Sequence, residues 1–91
     1  MLLKSGYLMG GDMRFYFHFN GMSGHRRDLE GMELEDLAAA HLEAWVGIRD
    51  IVAERLKLGR TMDQSDTLEI HDSSGRSVQS ISFHEVIRFY S

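Results

Sequence analysis

Between Asp36 and Leu58 the side chains of Leu37, His41, Trp45, Ile48, Val52 and Leu56 recur at spacings of four, four, three, four and four. That rhythm describes a helix with one face committed to a core, a stripe widened by Ala38, Leu42 and Val46. Asp36 is placed to accept from the free amides of the first turn, with Glu33 and Glu35 near the positive end of the dipole. Gly59 supplies a left-handed stop, and Arg55, Lys57 and Arg60 complement the negative end. About 22 helical residues span roughly 33 Å, enough to cross a small sheet. With its ring buried, Trp45→Ala is expected to cost about 3–5 kcal/mol. Gly47 is the exception, costing about 1 kcal/mol against alanine unless its missing side chain admits a strand or a partner.

The flanking segments read as strands. Phe15, Phe17 and Phe19 alternate with Arg14, Tyr16 and His18, a period of two in β-favouring aromatics. Asn20-Gly21 and Ser23-Gly24 are turn chemistry, predicting a hairpin into a second strand near His25 to Leu29, ended by Gly31. After the helix, Thr67 to His71 is a third strand with Leu68 and Ile70 inward, and Asp72 to Gly75 is a turn. A fourth strand runs from Arg76 to Phe83, in which Val78 is out of phase with Ile81 and Phe83 and so signals a bulge or a shift of face. Val86, Ile87, Phe89 and Tyr90 then form a short terminal helix or turn docked on the sheet. The fold class is α+β: a two-layer sandwich, ordered β-β-α-β-β, with the long helix on a four-stranded antiparallel sheet. Residues 1–12 show no period and read as a flexible tail ahead of a single domain at 13–91, and Met13 is a second candidate start.

Ninety-one residues without cysteine must hold together by burial alone, and neither a disulfide, a thiolate zinc site nor a cysteine nucleophile is available. The opening apolar run, Met1 to Leu3, is far short of a signal core or a membrane span, which makes the cytoplasm the expected compartment. Charge is spread: residues 1–34 carry four basic and four acidic groups, 35–58 three and five, and 59–91 three and five. No segment is the basic stripe that a nucleic-acid binder needs to displace counterions from phosphates.

Several short motifs together resemble a family of small uncharacterised bacterial proteins, mostly alphaproteobacterial. They are Phe15-Tyr16-Phe17-His18-Phe19, then Asp28-x-x-Gly31-x-Glu33-Leu34 before an alanine-rich helix start, and Leu58-Gly59-Arg60 at the helix end. Leu68-Glu69-Ile70-x-Asp72-x-x-Gly75-Arg76 and Phe83 complete the match, over about residues 13 to 85. That family is catalogued as a domain of unknown function, so the resemblance implies the fold and carries no catalytic residues. Trp45-Val46-Gly47 departs from its charged, alanine-rich helix centre.

The chemistry-bearing patterns are few. His84-Glu85-Val86-Ile87-Arg88 starts like a zinc-protease helix, but Arg88 stands where the second histidine must share the metal. Gly21-Met22-Ser23-Gly24 lacks the spacing of a nucleophile elbow, no phosphate-cradling loop is present, and Asp63, Asp66 and Asp72 are explained as solvated loop carboxylates and turn caps. His18 and His71 lie on outward strand phases with Glu69 near, the one candidate metal set; His41 is explained as a core or boundary residue. Arg14, Tyr16, His18, Arg26, Arg27 and His71 form a candidate binding surface on the open sheet face, an aromatic platform with cationic edges. The expectation is a non-enzymatic interaction or regulatory module with no cofactor and no membrane contact. It self-associates or binds a protein partner, ahead of single-stranded nucleic acid and of a divalent-metal enzyme.

Overall fold

The computed structural model describes residues 13–22, 24–60 and 65–90; the expected tail at 1–12 lies outside them. The phenylalanine alternation becomes β1 (Met13–Gly21), which turns through the Gly21↔Gly24 pair into β2 (Gly24–Arg26). β3 (Met32–Leu34) follows, then α1 (Leu37–Lys57), β4 (Thr67–His71), β5 (Ser77–Ser82) and α2 (Phe83–Tyr90). The antiparallel sheet has the order β2-β1-β4-β5, with β3 also pairing β1.

β3, beyond Gly31, is a fifth strand in addition to the four expected, and the expected second strand, near His25 to Leu29, ends at Arg26. Asp28 interrupts it: one carboxylate oxygen accepts from the Phe17 amide at 3.1 Å, the other from the amides of Glu30 and Gly31 at 3.1 and 3.0 Å. Gly31 then takes φ +72, and a Cβ there would sit 2.9 Å from the Phe15 carbonyl oxygen, so the return of β3 to β1 requires glycine. Val78 is the extra residue of a bulge, since Ile70 faces Gln79 and His71 faces Ser77.

α1 starts and stops as expected. The Asp36 carboxylate accepts from the Ala39 amide at 2.9 Å. At the other end Gly59 at φ +70 closes a Schellman motif, with Arg60 N–H on the Arg55 carbonyl at 2.9 Å and Gly59 N–H on that of Leu56 at 3.1 Å.

The buried line along α1 differs from the expected one. Ala40, Ala44 and Ile48 are essentially inaccessible, whereas Leu37 and Leu56 are exposed, and His41, Trp45 and Val52 are half-buried. Small residues let the helix backbone approach the sheet closely, and the larger side chains are pushed to its flanks. The core is completed by Phe15, Leu68, Ile70 and Ile81 from the sheet and by Phe83 and Val86 from α2. α2 is fastened by a capping box: the Glu85 amide donates to Ser82 Oγ at 3.1 Å, and the Ser82 amide to Glu85 Oε1 at 3.4 Å. A Cβ on Gly47 would meet nothing within 4 Å. Gly47→Ala is accordingly expected to stabilise the chain by about 1 kcal/mol, read as a higher urea midpoint. A lower midpoint would show that the glycine accommodates something packed against it.

Candidate functional site

On the sheet face away from α1, residues of outward phase stand side by side because β1 and β4 pair Tyr16↔His71 and His18↔Glu69. Tyr16 and His18 stack at 6.5 Å, and the His18 and His71 rings meet edge to face at 4.4 Å. Together with Arg27 and the Asp72–Gly75 turn they border a shallow groove of about 390 Å³. Asp72 builds that turn, its Oδ1 accepting from the amides of Ser74 and Arg76 and from the Ser74 hydroxyl. The hydroxyl and then the Arg76 amide hold its carboxyl below the ordinary value.

The structure brings Tyr16, His18 and His71 together as the alternation predicts, with Arg27 at the rim, but separates the other two arginines. Arg14 is engaged by the Glu30 carbonyl at 2.6 Å and the Glu33 carboxylate at 3.2 Å. Arg26 pairs with Phe19, so it sits on the phase of the helix-side face rather than of the outer one. Register is the reason: the pairing of Gly21 with Gly24 fixes β2, and a one-residue difference moves a side chain through the sheet. His25 takes the outward place and contacts Asn20 Oδ1.

His18, Glu69 and His71 are also adjacent, but each is engaged with neighbouring protein groups. His71 Nε2 lies 2.9 Å from Glu69 Oε1 and its Nδ1 3.2 Å from the Gly75 carbonyl, while His18 Nδ1 accepts from the Asp28 amide at 3.0 Å. Both ring nitrogens of His71 thus lie against protein acceptors, and a neutral ring donates to one of the two. Among the described residues no group of three or more His, Asp or Glu is arranged to hold a metal ion. His18 fastens the 27–31 loop through Asp28, and His71 reaches the 72–75 turn through the Gly75 carbonyl.

Electrostatics give that fastening a pH dependence. Burial, then His71 and Arg27, hold the His18 pKa below 6.5, against smaller opposing contributions from Asp28 and Glu69. At Asp28 burial acts upward, and the amides of Gly31, Phe17 and Glu30 together outweigh it, leaving the carboxyl below 3.8. With the folded His18 pKa depressed, the unfolded chain takes up this proton first. Stability from His18 is full above 6.5 and falls as the pH drops toward the folded pKa; that from Asp28 is lost only below 3.8. In His18→Asn, Oδ1 keeps an acceptor at the Nδ1 position without titrating. The loss of urea midpoint between about pH 7.5 and about pH 5.5 should therefore be smaller in the variant than in wild type. Equal losses would remove His18 from this role.

The helix-side face holds the second site, which the sequence reading did not find. α1 packs mainly on β4 and α2. Phe17 and Phe19 remain half-buried and, with Ile51 and Leu68, floor a groove of about 590 Å³. Arg26, Arg27, Arg55 and Arg60 line it. Arg55 Nη1 bonds Asp66 Oδ2 at 3.2 Å, and its guanidinium lies 5.6 Å from the centre of the Phe19 ring. Asp66 is 2 % exposed, so it is not the solvated loop carboxylate expected; its Oδ1 also accepts from the Met22 amide at 3.2 Å. The available signal was Arg26-Arg27, whose placement depended on register.

Comparison with curated proteins and with solved structures finds no match. A family model described as Domain of unknown function (DUF6894) matches residues 14–84, from the second residue of β1 into α2. The match takes in the sheet, α1 and both grooves, and the chain belongs to this DUF6894 family.

Proposed function

We propose that the chain is a non-enzymatic interaction module of the bacterial cytoplasm that works as a homodimer, joined through the outer flank of α1. The observation that carries this reading is the row of exposed apolar side chains on that flank: Leu42 at 66 %, Val46 at 36 % and Leu56 at 66 %, continued by Phe89 of α2 at 70 %. Phe89 meets the Trp45 ring edge to face at 5.2 Å, which joins the two helices into one surface. Scattered apolar residues are ordinary on a monomer, whereas several gathered on one helix flank, here to either side of Arg49, favour a partner.

The spacing suits a second copy. Leu42 and Leu56 lie seven residues to either side of Arg49. Two antiparallel copies of α1 related by a twofold axis near Arg49 set Leu42 of one beside Leu56 of the other. Arg49 lies 3.8 Å from its own Asp50, which tempers the meeting of like charges at the axis. Sedimentation over a concentration series tests the proposal. The expected result is a rise from the 10.4 kDa chain mass to twice that value, abolished by Leu42→Glu. The chain mass at every concentration would sink it.

A further inference from the structure

We propose that the groove between α1 and β1 binds a small amphiphilic anion, its apolar body on Phe17, Phe19, Ile51 and Leu68 and its carboxylate or phosphate on Arg26 and Arg60. The volume of about 590 Å³ falls in the range of small-molecule sites. On its floor Phe17 and Phe19 of β1 and Ile51 of α1 keep apolar surface accessible, whereas Ile70 and Ile81 on the same sheet face are inaccessible. Transferring an apolar body onto that floor gains what intrachain packing does not supply.

Charge selects the sign of the head group. The chain carries a net charge of −4, yet four of its ten basic residues line this one groove. Arg55 is committed to Asp66, and among the described residues no carboxylate forms an ion pair with Arg26, Arg27 or Arg60. Of the two carboxylates that line it among the described residues, Asp28 is already held by three amides, which leaves Glu54 as the one described acidic group facing an incoming anion. Guanidinium groups match carboxylate and phosphate oxygens in a two-point fork, and an ammonium head has no such acceptor. The groove lies on the Ile51 and Leu58 side of α1, the opposite flank from Leu42 and Leu56, so it stands apart from the dimer proposal.

The test is calorimetric titration with decanoate, decyl phosphate and decanol, each below its micelle concentration, together with backbone amide shifts. One decanoate or decyl phosphate per chain is expected, with shifts at Arg26, Arg27, Leu58 and Leu68, and the tighter of the two identifies the head group. Decanol should bind at least about tenfold more weakly. Arg26→Glu and Arg60→Glu should each weaken the anion by about tenfold while leaving the melting temperature unchanged, because both side chains are exposed. Glu54→Gln should tighten it. The proposal is overturned by equal affinity for decanol and the anions, by indifference to both arginine variants, or by shifts confined to other surfaces. Binding to phosphatidylglycerol vesicles without binding of the monomeric anions, or no binding at all, overturns it equally.

Discussion

Phe83→Ala is expected to lower stability by about 3–5 kcal/mol, a large share of the roughly 5–10 kcal/mol a chain of this size holds. Phe83 heads the set of large side chains that are fully inaccessible, and its ring meets Phe19 edge to face at 5.5 Å. It is the residue at which β5 becomes α2, and its amide donates to the Asp66 carbonyl at 2.9 Å. Truncation empties the space where the sheet and both helices converge, and the backbone there is fixed from both sides, so the void cannot easily collapse. Urea unfolding with an unchanged slope reads the effect. A loss under about 1 kcal/mol would mean that the core is centred elsewhere. By the same reasoning Trp45→Ala should cost less than Phe83→Ala, because the indole is only half-buried and its Nε1–H is enclosed without an acceptor among the described residues.

Asp66→Ala is expected to cost about 2–3 kcal/mol. Its carboxylate joins parts of the chain that are distant in sequence: the Met22 amide at the β1 end and the Arg55 guanidinium on α1. Removing it strands a part-buried amide and takes its carboxylate partner from a cation that is 28 % exposed. Water reaches Arg55, so the cost stays below that of breaking a fully enclosed pair. Asp66→Asn, which retains an acceptor for Met22, should fall between wild type and alanine. A double-mutant cycle with Arg55→Met separates the ion pair from the amide bond. A cycle energy equal to the whole Asp66→Ala loss would remove the amide from the account.

Much of this architecture is written in local pattern. Asp36 and Gly59 bound α1 because capping depends on one residue and its immediate neighbours. The phenylalanine alternation gives β1, and the phase slip at Val78 gives the bulge, because a strand has only two faces. The Ser82-x-x-Glu85 box that starts α2 was equally legible and was the signal to use there. Other features depend on contacts far apart in sequence. Periodicity shows that α1 has an apolar side but does not rank residues within it. Reading the largest side chains as the deepest placed Trp45 and Leu56 where Ala40 and Ala44 belong. The face of Arg26 follows from a pairing register, and the burial of Asp66 from partners 44 and 11 residues away. For these reasons the outer aromatic tier was found from sequence, whereas the arginine-lined groove was not.

α1 turns its alanine line to the sheet and, in the proposed dimer, its Leu42 flank to a second copy. The chain has no cysteine, so a single introduced thiol reports its own environment. The decisive measurement is the rate of thiol labelling in Ala44→Cys and Leu42→Cys, followed as protein concentration rises. Ala44→Cys should react only at the rate of unfolding, at every concentration, and Leu42→Cys should react quickly when dilute and slow as the dimer forms. Rapid labelling at position 44, or a rate at position 42 that ignores concentration, would contradict the account.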